Sequence, residues 1–229
     1  MAATTTPRAE AARGLPRFGR AERAVHWANA TLMITMLVTG SFLYFGPLSA
    51  LVGRRETIKT IHVYCGLMLP VPVLLGLLSR RFRADAHRLG RLDDEDWKWL
   101  KSWGRRGRVA KFNAGQKLNA AFVAGAIPVM LATGSIMRWF KPFPLSWRTG
   151  ATFVHDWVFL ALLVVVIGHI GKALADPTAL KGMISGRVPR GWARHNRPRW
   201  LDELEGLEDG SVIEQDATPG QETQPAPIE

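Results

Sequence analysis

Four apolar segments of 20 or more residues constrain the fold of this chain more than any other feature. Each is long enough to cross a bilayer as an α-helix, which needs about 20 mostly apolar residues. A water-soluble fold would leave too little polar surface to cover four such helices in 229 residues. The sequence therefore predicts an all-α integral membrane four-helix bundle, with helices at about 24–45, 60–79, 118–140 and 151–175.

The positive charges indicate how these helices are oriented. Mean hydropathy is only +0.01 and net charge is +11, because charged residues lie between the apolar segments. Of the 30 Lys and Arg residues, 24 fall in the N-terminal stretch, the connection between the second and third helices, and the region from Lys172 onward. Lys and Arg collect in cytoplasmic loops, so both termini are predicted to be cytoplasmic. This topology explains the charge without a nucleic-acid partner.

Polar ends flank the apolar part of the chain. Residues 1–20 form a polar N-terminal arm without the apolar run of a cleaved secretory signal. Residues 204–229 are polar and rich in Pro and Gly, so a disordered tail is expected. Residues 21–203 between them are the predicted membrane domain. Pro70, Pro72 and Pro128 are expected to kink the membrane helices rather than break them.

Four of the six histidines, His26, His62, His155 and His169, lie inside the apolar segments. Ionisable side chains within membrane helices are costly and mark functional sites. Following the helices through the membrane puts His62 and His155 near the periplasmic side. The same path puts His26 and His169 near the cytoplasmic side. The sequence thus predicts two pairs of imidazoles at two depths.

The 14-residue spacing of His155 and His169 supports two levels, because it returns the side chain to within about 40° after a rise of about 21 Å. Two imidazoles per level suit a six-coordinate haem that transfers electrons. A zinc site needs its ligands together, so two distant levels argue against zinc. The sequence has no CxxCH motif and one cysteine, Cys65, so covalent haem attachment and a cysteine-ligated cluster are excluded.

Three glycines lie close to the histidines along the helices. Gly66 follows His62 by four residues, and Gly40 and Gly134 occur in the similar motifs LVTGSF and LATGSI. A helix surface without side chains admits a flat macrocycle, but small residues also allow helices to pack closely. The sequence favours neither explanation.

Several motifs together resemble the gamma subunit of respiratory formate dehydrogenase, a di-haem cytochrome b membrane subunit. The resemblance spans about residues 18–203. The matching motifs are RAVHW around His26, IHVYCG around His62, KFNAGQK at 111–117, HDWVFLALLVVVIGH at 155–169 and KGMISGRVPRGWARHNRPRW at 181–200. Histidine placement alone also suits cytochrome subunits of hydrogenases and other respiratory oxidoreductases.

The resemblance implies that the four histidines are axial ligands of two b haems. It also implies a quinone, menaquinone or ubiquinone, bound at Asn113, Gly115 and Gln116 near the cytoplasmic haem. Asn and Gln offer hydrogen bonds to a quinone carbonyl, and Gly115 would leave space for the ring. The residues by themselves favour another role, in which Asn113 caps the third helix and Gly115 is a hinge.

The function implied is that of an anchor and electron conduit in the bacterial inner membrane. Electrons would arrive from a periplasmic iron–sulfur beta subunit, and formate chemistry would belong to a catalytic alpha subunit. This sequence has no catalytic constellation for formate of its own. A haem-free membrane protein with a histidine proton relay is the alternative from another class.

Overall fold

The computed structural model describes residues 14–206. Most of the predicted N-terminal arm and most of the predicted tail therefore lie outside the described residues. The helices are α1 (Arg20–Tyr44), α2 (Gly46–Val52), α3 (Arg55–Met68), α4 (Val71–Gly76), α5 (Arg80–Leu89), α6 (Asp94–Lys101), α7 (Ala114–Arg138), α8 (Leu145–Ala175), α9 (Pro177–Ser185) and α10 (Arg190–Asn196). Residues 198–206 are also helical. The strands β1 (Leu15–Pro16) and β2 (Arg187–Val188) have two residues each.

Three spans among the described residues are long and apolar enough to cross a membrane: Arg55–Gly76, α7 and α8. Helix α1 passes the same test only together with α2, and the two are bent by 99°. Helix α1 is less apolar because it carries Thr31, Thr35, Thr39 and Ser41. Each hydroxyl donates to the carbonyl one turn earlier, which satisfies it inside the helix. The chain thus has three or four candidate spans, and the count of four stays a prediction.

The prolines affect the spans differently. Helix α3 ends at Met68 and α4 begins at Val71, so the second span is interrupted at residues 69–70 and then continues. The Pro70 carbonyl accepts a hydrogen bond from the Leu74 N–H (3.0 Å), so α4 starts with its first turn closed. Pro128 lies inside α7 without ending it. Membrane helices tolerate proline where neighbouring groups satisfy the freed backbone.

The core of the bundle lies between α1, α7 and α8. Leu37 of α1, Ala126 of α7, and Phe159 and Leu162 of α8 are buried together there. Helix α7 packs mainly against α8, and α1 packs mainly against α3 and α4. Large apolar side chains remain exposed on the outer faces, for example Val164 of α8 (70% exposed). Such faces suit lipid rather than water.

A small second core closes one end of the bundle. Strands β1 and β2 pair antiparallel, with Leu15 opposite Val188. Val188, Ala193 and Trp200 are buried together there, and Leu15 packs against them. We call this the capped end: it is the end at which α1 and α7 begin and α8 ends. The other end of the bundle is the open end.

Gly186 makes the turn that brings β2 back to β1. Its φ of +84° is in the left-handed region, which favours glycine. Its N–H donates to the Gly182 carbonyl (2.8 Å), which ends α9. Its own carbonyl accepts from the N–H groups of Arg17 (2.8 Å) and Phe18 (3.1 Å). The turn therefore joins the two ends of the described chain.

The connection expected to be a long loop contains the helices α5 and α6. Two buried ion pairs hold them to the start of α7. The Lys111 Nζ lies 2.7 and 2.6 Å from the Asp85 carboxylate oxygens on α5. The Lys117 ammonium pairs with the Asp96 carboxylate on α6. The KFNAGQK motif thus begins and ends in a lysine that anchors a helix.

Replacing one partner of a buried pair leaves the other charge unpaired, which costs about 3–5 kcal/mol. We expect Lys117→Met to lower the free energy of unfolding by about this amount, because Asp96 is buried. Tryptophan fluorescence during thermal or denaturant unfolding in detergent measures it. Lys98→Met is the matched control: it breaks an exposed pair with Glu95, worth less than about 1 kcal/mol. Equal losses in the two variants would contradict the role of the buried pair.

Candidate functional site

The four membrane histidines lie as two pairs, each across two helices. The ring centroids of His62 on α3 and His155 on α8 are 6.3 Å apart, with the rings inclined by 64°. The centroids of His26 on α1 and His169 on α8 are also 6.3 Å apart, inclined by 56°. We call these the open-end pair and the capped-end pair. They join the residues that the sequence assigned to a common depth, and iron ligation by them remains a prediction.

Two threonines contact the open-end pair. The Thr39 Oγ1 lies 2.9 Å from the His62 Nδ1, and the Thr133 Oγ1 lies 3.0 Å from the His155 Nδ1. Both threonines are buried. Sequence reasoning missed them, although the shared TGS of LVTGSF and LATGSI marks both positions.

Two of the three glycines lie against this pair. A methyl group added at Gly134 would lie 3.3 Å from the His155 Cε1. One added at Gly40 would lie 3.4 Å from the His62 Cε1 and 3.1 Å from the Phe159 ring. Gly66 instead faces the side chain of Met36 on α1 (3.2 Å). Gly40 and Gly134 thus leave free surface beside the imidazoles, whereas Gly66 serves helix packing.

The capped-end pair has a different environment. The indole of Trp27 meets the His26 ring edge-on, with centroids 5.3 Å apart, and its Nε1 donates to the Met183 carbonyl (3.3 Å). The imidazole of His169 faces His26 but is exposed, whereas the open-end imidazoles contact buried threonines. Within residues 14–206, neither imidazole of this pair makes a hydrogen bond. The two pairs therefore share a spacing but differ in their hydrogen-bonding partners.

Asn113 and Gln116 form a capping box at the start of α7. The Asn113 Oδ1 accepts from the Gln116 N–H (2.8 Å), and the Gln116 Oε1 accepts from the Asn113 N–H (3.1 Å). The Arg197 guanidinium also donates to that Oε1 (3.3 Å). Asn113 therefore is the helix cap that its residue type favours. Because both oxygens are engaged, the amide NH₂ groups face elsewhere, and within residues 14–206 they donate to no acceptor.

Gly115 lies against an aromatic ring that sequence reasoning missed. A methyl group added there would lie 3.3 Å from the Trp99 Cη2 on α6. The space expected for a quinone ring therefore borders the Trp99 indole. The sequence pattern does not predict this contact, because the packing of α6 against α7 brings Trp99 to Gly115.

Two buried arginines stand beside the capping box. The guanidinium carbons of Arg17 and Arg197 lie 4.7 and 5.4 Å from the centre of the Trp192 ring. Burial, with the positive charge of Arg197, lowers the pKa of Arg17 to about 9. Burial also lowers the pKa of Arg197 to about 10. The Trp192 Nε1 donates to the Asp176 carboxylate (3.1 Å). The capped end thus holds a buried cationic cluster beside Gln116.

Comparison with known proteins shows which proteins this chain is similar to. Residues 17–186 match the family model described as prokaryotic cytochrome b561. The chain is 27% identical to the nitrate-inducible formate dehydrogenase cytochrome b556(Fdn) subunit of Escherichia coli K12, over 82% of this chain and 90% of that protein. It is 28% identical to the cytochrome b556(fdo) subunit of the same organism, over 82% and 92%.

A third relative, the formate dehydrogenase cytochrome b556 subunit of Haemophilus influenzae, is 27% identical over 86% of this chain and 87% of that protein. The family match at residues 17–186 includes every candidate span and all four membrane histidines. The chain therefore belongs to the prokaryotic cytochrome b561 family and is a multi-pass membrane cytochrome b of electron transport that carries haem b.

Proposed function

We propose that this chain is the membrane anchor and electron-transfer subunit of a formate dehydrogenase complex. Electrons pass from a periplasmic iron–sulfur subunit through two b haems to a quinone near the cytoplasmic face of the inner membrane. The formate chemistry belongs to a separate catalytic subunit. The observation that carries the proposal is the presence of the open-end pair and the capped-end pair of imidazoles. They occur in a chain that is similar to formate dehydrogenase cytochrome b556 subunits.

The proposed topology has four spans, with α1 as the first and both chain termini in the cytoplasm. The distribution of Lys and Arg supports it, because the capped end and its neighbouring segments hold most of them. The polar residues of α1 support its span as well, since their hydroxyl groups are satisfied within the helix. The open end then faces the periplasm, where the iron–sulfur partner docks.

The spacing of each imidazole pair fits a haem iron between the rings. Two metal–imidazole bonds of about 2 Å account for about 4 Å of the centroid separation. The remainder is the distance from each nitrogen to the centre of its own ring. His62 and His155 would hold one haem, and His26 and His169 would hold the other. Held by these histidines, haem b would supply one-electron transfer.

Removing one ligand of a pair should remove one haem. We expect about two haems per chain in the unaltered protein and about one in His155→Ala or in His26→Ala. Pyridine haemochrome assay and the reduced-minus-oxidised spectrum of the purified chain measure this. His87→Ala is the control, because His87 is exposed on α5. Unchanged haem content in both ligand variants would refute ligation by these pairs.

The free surface at Gly134 should matter for the haem at the open-end pair. We expect Gly134→Val to lower haem content toward about one per chain, because the added carbons press on His155 and fill the surface beside it. Gly125→Val on the same helix serves as the control, because a Cβ added at Gly125 meets no atom within 4 Å. If both variants retain full haem content, Gly134 serves helix packing rather than haem binding.

The quinone site of this proposal is formed by Asn113, Gly115 and Gln116. Within residues 14–206, the amide NH₂ groups of Asn113 and Gln116 donate to no acceptor, so they can donate to a quinone carbonyl. The Trp99 indole beside Gly115 offers an aromatic surface to the quinone ring. Helix α7 begins where α8 ends, which is the level of the capped-end pair. The quinone is menaquinone or ubiquinone.

Asn113→Asp separates the two roles of this residue. Aspartate remains a good helix cap but has no NH₂ to donate. We expect the KM for quinone to rise about fivefold in the assembled complex, from the loss of a hydrogen bond worth about 1 kcal/mol. Asn113→Ala, which loses cap and donor, should add a loss of thermal stability. An unchanged KM in Asn113→Asp would remove Asn113 from the quinone site.

A further inference from the structure

The hydroxyl groups of Thr39 and Thr133 each lie between an imidazole and a backbone carbonyl. The Thr39 Oγ1 is 2.9 Å from the His62 Nδ1 and 2.7 Å from the Thr35 carbonyl oxygen. The Thr133 Oγ1 is 3.0 Å from the His155 Nδ1 and 2.7 Å from the Val129 carbonyl oxygen. Both threonines are at least nine-tenths buried, at 8% and 9% exposed, so water does not compete for these hydrogen bonds.

The single proton of each hydroxyl decides the direction of these bonds. A carbonyl oxygen only accepts, so each threonine donates its proton to the carbonyl one turn earlier. The hydroxyl oxygen then accepts from the imidazole, which requires a proton on Nδ1. In a neutral imidazole with Nδ1 protonated, Nε2 carries the lone pair. Each threonine therefore selects the tautomer whose Nε2 is available to a metal.

The arrangement occurs twice, on helices that are not neighbours in sequence. In α1 and in α7 the order is Thr, Gly, Ser; the Thr contacts an imidazole, and the Gly leaves space beside the same ring. The two imidazoles belong to the same pair, so one haem site receives both hydrogen bonds. The capped-end pair receives none within the described residues 14–206. This asymmetry distinguishes the two levels.

The geometry points to Thr39 and Thr133 as positioning residues for the open-end pair: they fix the Nδ1-protonated tautomer of His62 and His155 and lower the reduction potential of the haem held there. The inference rests on the proposed function, because it needs a haem between those imidazoles. A hydrogen bond from the distal ring nitrogen makes a metal-bound imidazole a stronger donor. A stronger donor favours iron(III) over iron(II), so the potential falls.

The redox change itself is one electron taken up or given by the iron. The Nδ1 proton stays on each imidazole throughout, held by the threonine oxygen, so no proton is released to the hydrocarbon. A lower potential at the open-end pair favours the passage of that electron toward the capped-end pair. The threonines thereby contribute to the direction of transfer in the proposed function.

The test compares Thr39→Val, Thr133→Val and the double variant with Thr39→Ser and Thr133→Ser in the full chain with its haems. Valine keeps the shape and removes the hydroxyl, whereas serine keeps the hydroxyl. Potentiometric titration followed by the haem absorbance bands gives the two midpoint potentials. We expect the double valine variant to favour the reduced open-end haem about tenfold, equal to a rise of about 59 mV. The capped-end haem and the serine variants should be unchanged.

Thr31→Val is the matched control, because its hydroxyl donates only to the Trp27 carbonyl (3.0 Å) and contacts no imidazole. Loss of the open-end haem in the valine variants, with retention in the serine variants, also supports the inference. Full haem content with unshifted potentials in the double valine variant would overturn it while leaving the proposed function intact. Loss of haem in the valine and serine variants alike would overturn it too, because the hydroxyl would then not be the required group. An unaltered chain without two b haems refutes the proposed function itself.

Discussion

The hydrocarbon of a bilayer offers no hydrogen bonds, so each polar atom within a span must find its partner inside the protein. Helix α1 illustrates this at Thr31, Thr35 and Thr39, whose hydroxyls bond to carbonyls of the same helix. The imidazole of His62 is satisfied at one nitrogen by Thr39. Within residues 14–206, no side chain other than Thr39 hydrogen-bonds to this imidazole. Under this constraint, an imidazole with few hydrogen bonds to protein side chains marks a place where a cofactor can bind.

At the capped end, by contrast, charged side chains are buried and form ion pairs with one another. Burial raises the pKa of Asp85 and lowers that of Lys111, while the ion pair between them acts against both shifts. The pair and its counterpart at Lys117 attach two amphipathic helices to the start of α7. Asn113 lies between these two lysines in sequence, so the same contacts fix the proposed quinone donors. Cofactor chemistry and cap stability thus share a short stretch of chain.

The sequence predicted the features of this molecule that depend on the length of the apolar segments and on the positions of residues along them. Apolar length predicted α7 and α8 and their approximate ends, and position along the helices predicted which imidazoles meet. It did not predict α5 and α6, because these helices are short and their many charged residues resemble those of a polar loop. Thr39, Thr133 and Trp99 were also missed. Their roles come from contacts between helices, and residue type alone does not distinguish Thr39 from Thr31.

The pairing of β1 with β2 also limits how early during synthesis the protein can complete its fold. Leu15 emerges from the ribosome about 170 residues before its partner Val188. At about 5–20 residues per second, this separation amounts to roughly 10 to 30 seconds of synthesis. During that interval α1, α3, α7 and α8 are all made, while Leu15 has no strand partner. The capped end can therefore close only after α8, the last candidate span, has been made, which makes this closure a natural checkpoint for assembly.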